Sequence, residues 1–148
     1  MKMMKTLLAG AAMMFAVTTA TSAVAQEVSY KPGTVWEAGR IDVLPGQFQN
    51  YMDWLATNWK KIQELGKAEG IVVDYHVLAT NNPRAGEPDL ILLVEYKDYL
   101  TTAQQEAFSK KVNAMMAQNE RTAAVANAER GKMRESMGST EYQELILK

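Results

Sequence analysis

The sequence predicts an α+β fold: a ferredoxin-like β-α-β-β-α-β sandwich, with a four-stranded antiparallel sheet and two main helices on one face. Three observations predict it. Runs rich in β-branched and aromatic residues alternate with stretches of helical period in that order; Pro and Gly stand at the changes of period; and the polar, turn-rich residues 81–88 join two strand-like runs.

Residues 34–43 form the first strand, bounded by Pro32-Gly33 and Pro45-Gly46. From 47 to 69, Phe48, Tyr51, Met52, Leu55, Trp59, Ile62 and Leu65 make a stripe at three-and-four spacing, and Gly70 is placed to stop it, so a long amphipathic helix follows. Trp59, on that stripe with Trp54 beside it, reads as core. Residues 71–80 and 89–97 read as a hairpin. Thr101 or Thr102 can cap a second helix, with Gln104 or Gln105 at the capping-box position and Phe108, Val112 and Met115 along its apolar face. Residues 119–138, with their Ala-rich centre, favour an extra helix with a weak apolar stripe, and 142–147 form the last strand.

The first 25 residues have a separate meaning. Lys2 and Lys5 precede an apolar run from Leu7 to Val17, and Ala23-Val24-Ala25 gives a small-x-small cleavage pattern, which together predict a secretory signal. The run is too short to span a bilayer. The expected organisation is therefore a signal at 1–25, an N-terminal arm at 26–33 and one domain at 34–148, exported to the periplasm or the medium and free of the membrane after cleavage. The remaining 123 residues carry 14 basic and 17 acidic side chains, so no nucleic-acid footprint is expected. The absence of cysteine excludes disulfides, thiolate metal sites and a thiol nucleophile. No phosphate loop, nucleophile elbow or paired-histidine motif is present, and no cofactor is expected.

Strand alternation selects one polar constellation. In the second strand Ile71, Val73, Tyr75, Val77 and Ala79 share a face, and Val72, Asp74, His76, Leu78 and Thr80 share the other. In the third, Leu90, Leu92, Val94 and Tyr96 should lie under the helices. If Thr80 pairs with Asp89, Asp74 stands opposite Glu95, beside His76, the chain's one histidine. Like charges opposite one another on a sheet are destabilising, so compensation is expected from a bridging cation, from Arg40 on the first strand, from a proton held by one acid, or simply from water. Asp74, His76 and Glu95 are thus the catalytic candidates, and Trp36, Arg40 and His76 the ligand-binding ones. Arg84 in the hairpin loop is a weaker anion candidate.

Residues 35–46, running into Phe48 and Tyr51, resemble the first strand and Pro-Gly turn of the dimeric α+β barrel superfamily, nearest to its NIPSNAP-like branch; residues 75–78, 89–97 and 144–147 are similar to its remaining strands. The resemblance implies a homodimer whose sheets face each other and bury Asp74, His76 and Glu95 in a shared barrel. The superfamily includes cofactor-free monooxygenases and haem-degrading enzymes. The latter use an Asn, Trp and His trio with the histidine on the second helix, and residues 101–118 contain none. The resemblance therefore carries over a fold and a dimer, and no catalytic residue. Two functions follow as expectations: a binding protein holding a small molecule in the barrel or a helix-side crevice, or a small acid-base or oxygenase-like enzyme using His76 with Asp74 or Glu95.

Overall fold

In the computed structural model, which describes residues 28–148, β1 (Tyr30–Val43) leads through the Pro45-Gly46 turn into a long helix α1. That helix has three consecutive parts: Phe48–Trp54, a π-helical turn at Leu55–Trp59, and Lys60–Ala68. The hairpin β2 (Val72–Ala79) and β3 (Leu90–Tyr96) follows, then α2 (Thr102–Met115), α3 (Glu120–Arg130) and β4 (Arg134–Leu147). The sheet is antiparallel with order β2-β3-β1-β4, so β3 lies between the two strands that α1 connects. This is the expected ferredoxin-like α+β architecture, with an open four-stranded sheet and three helices.

The expected alternation in β3 holds. Leu90, packed against Tyr51 and Leu55 of α1, and Val94 are buried, with Leu92 partly buried between them. Ile41, Tyr51, Leu55 and Leu90 form the centre of the core, and Val43, Trp54, Trp59, Val77 and Met133 pack around it. Trp59 meets the edge of the Tyr75 ring at 5.4 Å, and Tyr51 stacks on Trp54. Gly66 makes the close approach of α1 to β2: a Cβ there would lie 2.5 Å from Cγ2 of Val72. The predicted cap of α2 is formed at Thr101, whose hydroxyl accepts from the Gln104 amide while the Gln104 side chain accepts from the Thr101 N–H.

Four expectations are corrected. Residues 30–33 are not an arm: they begin β1 and pair with β4, Tyr30 opposite Leu147 and Pro32 opposite Leu145. A register shift between Pro32 and Val35 absorbs the Pro-Gly pair, and Gln143 Nε2 donates to the carbonyls of Gly33 (2.8 Å) and Thr34 (3.2 Å) there. The extra helix stops at Arg130, and residues 134–141 belong to β4, so the last strand is more than twice its predicted length. In β2 an irregularity between Val72 and Asp74 turns Val72 under the helices and leaves Val73 exposed, the reverse of strict alternation. On α2, Phe108 and Val112 are partly buried as expected, but Met115 is exposed. Among the described residues no helix is long and apolar enough to cross a membrane. The predicted signal at 1–25 lies outside the described residues.

Candidate functional site

The helices cover one face of the sheet, and the other presents residues in cross-strand rows. Asp74, Glu95, Trp36 and Tyr142 form one row; His76, Leu93, Ala38 and Thr140 form the next; Leu78, Ile91 and Arg40 follow. The expected pairing of Asp74 with Glu95 and His76 with Leu93 is therefore present, with Thr80 N–H donating to the Asp89 carbonyl at 2.8 Å. His76 Nε2 lies 3.6 Å from Asp74 Oδ2, with both side chains about half exposed. That is too long for a hydrogen bond, so the pair interacts by charge when the imidazole is protonated.

Compensation at Asp74 does not come from Arg40. Lys67, in the last turn of α1, reaches around the sheet edge and places Nζ 3.3 Å from Asp74 Oδ1, which also accepts from the Tyr75 amide at 2.9 Å. These two hydrogen bonds, the backbone one first, hold the Asp74 carboxyl below its ordinary value. Asp74 is thus an anion, and not the proton-holding acid that one reading of the constellation required. Among the described residues no three His, Cys, Asp or Glu side chains converge as metal ligands. Sequence reading missed Lys67, which is visible only as a long cation in the last helical turn beside an edge strand.

Trp36, Arg40 and His76 share this face without meeting. On an ideal sheet the backbones of Arg40 and His76, two strands and two residues apart, lie roughly 12 Å from one another. Arg40 donates to the Gly86 carbonyl at 3.2 Å and lines a shallow depression of about 350 Å³ with Thr80, Ile91, Thr140 and Tyr142. Arg84 is held by Glu87, which accepts from its Nε at 2.7 Å and from its backbone N–H at 2.8 Å. At the hairpin end Asp42 meets Asp89; that contact, then burial and the charges of Asp89 and Glu135, push the Asp42 carboxyl up. Asp89 also accepts from the Val43 amide at 2.9 Å. Under the helices, Tyr96 donates to Glu37 at 3.2 Å. Burial and the Glu37 charge hold the Tyr96 phenol above its ordinary value.

A larger concavity lies on the helix side. The three helices part to leave a crevice of about 530 Å³ with a mainly apolar wall that includes Trp54, Ile62, Val112, Met116, Ala126 and Met133. Asn58, Gln118, Asn127, Glu129 and Arg130 supply its polar groups. The Arg130 guanidinium lies 4.6 Å from the centre of the Trp54 ring and donates to Asn127. Asn58 sits within the π-helical turn, a geometry frequent at functional sites. No local pattern marks this cluster, because Trp54 falls beside the apolar stripe and Arg130 looks like an ordinary cation at a helix end.

No family model matches the chain, and no curated protein matches it in sequence. Its fold is similar to that of a solved structure, protein SO0527 from Shewanella oneidensis, at 13% identity and a TM-score of 0.50, over 79% of this chain and 98% of that one. At that identity the likeness speaks for the fold alone, a ferredoxin-like α+β arrangement of sheet and helices.

Proposed function

We propose that this chain is an exported, homodimeric binding protein that holds a small molecule in the crevice between its helices. The observation that carries the reading is the crevice itself: about 530 Å³, mostly apolar, with a few convergent polar groups, which is the size and chemistry of a small-molecule site. Export is supported by Lys2 and Lys5, the apolar run from Leu7 to Val17 and the Ala23-Val24-Ala25 cleavage pattern. The dimer is supported by the open sheet face, where no described residue forms a layer over Trp36, Leu78, Ile91, Leu93 and Tyr142, and by the sequence resemblance to the NIPSNAP-like branch of the dimeric α+β barrels. Two such faces in contact would enclose Asp74, His76 and Glu95.

The alternative, an acid-base or oxygenase-like enzyme, draws support from the Asp74 carboxylate beside His76, which could orient the ring as a base. Native mass spectrometry of the mature protein, purified from the exporting compartment, separates the two. A dimer carrying extra mass that persists in His76→Ala and disappears in Ala126→Trp, which fills the crevice, is the expected result. Loss of the bound mass in His76→Ala with the dimer intact would favour the enzyme, and a monomer would overturn the barrel.

A further inference from the structure

Arg130 and Arg134 stand close enough for each to act on the other's charge and on the hydroxyl of the buried Tyr51, at the junction of α3 and β4. The Nε–H of each is shielded from solvent and has no hydrogen-bond acceptor among the described residues. Among the described residues no carboxylate forms an ion pair with either arginine. Glu129, the acid on the crevice wall, is held at 2.7 Å by Lys132. Two neighbouring guanidinium groups, each with a shielded Nε–H and neither in an ion pair among the described residues, leave an excess of positive charge beside the mainly apolar crevice that Arg130 lines. Burial, and behind it the charge of Arg134, hold Arg130 below the ordinary guanidinium value.

We propose that the crevice takes an apolar molecule ending in a carboxylate, its body along Trp54, Ile62, Val112 and Met116 and its head at Arg130, with Arg134 adding to the field. A guanidinium fork suits a planar carboxylate, and an anion beside it supplies the charge that the surrounding side chains lack. The Arg130 cation lies over the Trp54 ring and donates to Asn127, so it is positioned before a ligand arrives. This inference rests on the crevice being a ligand site, and its test separates the two claims.

Octanoate and octan-1-ol share a chain and differ in charge, so both are titrated into the mature protein. Binding is followed by calorimetry and by the methyl resonances of Met116 and Met133, which line the crevice. Octanoate should bind at least tenfold more tightly than the alcohol and shift both methyls. Arg130→Gln should abolish that preference, bringing acid and alcohol to within twofold of one another. The comparison within the wild-type protein needs no variant, so a poorly folding Arg130→Gln does not disable it. Equal binding of acid and alcohol at those methyls would overturn the carboxylate inference and leave the crevice as a site. A preference that survives Arg130→Gln in a folded protein would overturn the role of Arg130. No methyl shift with either compound would overturn both claims.

Discussion

Truncating Leu90 tests the assignment of sheet faces on which the candidate sites depend. Its side chain is 1% exposed and packs with Ile41, Tyr51 and Leu55. Leu90→Ala removes three buried carbons from the centre of that cluster and leaves a cavity that the strand and helix around it cannot close. Such changes cost about 3–4 kcal/mol, against a total stability of roughly 5–15 kcal/mol for an ordinary domain. For a domain of this size that is a fall in Tm of roughly 10–20 °C. The comparison is Leu93→Ala, three residues along β3 on the bare face, partly exposed and opposite His76. In the monomer it should cost less than about 1 kcal/mol, since much of its surface already meets water. Urea unfolding at concentrations low enough to dissociate a dimer gives both values from shifts of midpoint at constant slope. If Leu93→Ala costs as much as Leu90→Ala under those conditions, or Leu90→Ala costs less than about 1 kcal/mol, the register is wrong. The rows built on it then fall as well.

Two further outcomes are expected. The raised Asp42 carboxyl holds a proton in the folded chain that the unfolded chain releases above pH 3.8, so its contribution favours folding at low pH and is lost as pH rises through the folded value; Asp89→Asn removes the carboxylate that raises it, through its hydrogen bond first and its charge after, and should raise Tm at pH 7 with no gain at pH 3, in thermal scans across that range. Thr101→Ala breaks the capping box at the start of α2 and should cost about 1 kcal/mol by urea unfolding; a loss below about 0.3 kcal/mol, a third of the usual cap effect, would show that the helix end is held by other contacts.

The elements legible in the sequence were those whose signals are local. Thr101 and Gln104 mark a helix start through three residues, and the apolar set of β3 follows from alternation on a strand buried on one side. The pairing of Asp74 with Glu95 needed only the length of the hairpin loop. The misread parts depend on partners far away in sequence. Tyr30–Gly33 and residues 134–141 are strand because each supplies the ladder for the other, and neither carries a periodic apolar pattern, since β4 is an exposed edge. Val72 is buried because one irregular position shifts the parity of β2. Asp74 is legible, but its cation is not, because Lys67 reaches it around the sheet edge. Arg130 and Trp54 meet only through the placement of α3 against α1, which no local spacing encodes.

The π-helical turn at Leu55–Trp59 sets the angular phase of α1. Trp54, Asn58 and Ile62 all face the crevice, although Trp54 and Ile62 are eight residues apart. In a regular α-helix eight residues advance the side chain by about 800°, leaving Ile62 about 80° past the direction of Trp54. A single π turn accommodates one extra residue, so the same eight sweep about 700° and end about 20° short of two full turns. The helix therefore offers one wall where a regular one would offer two diverging ones. Recasting the turn as regular α-helix with every residue retained would point Trp54 and Ile62 in different directions, whereas deleting one residue along with the π turn would keep them on one wall.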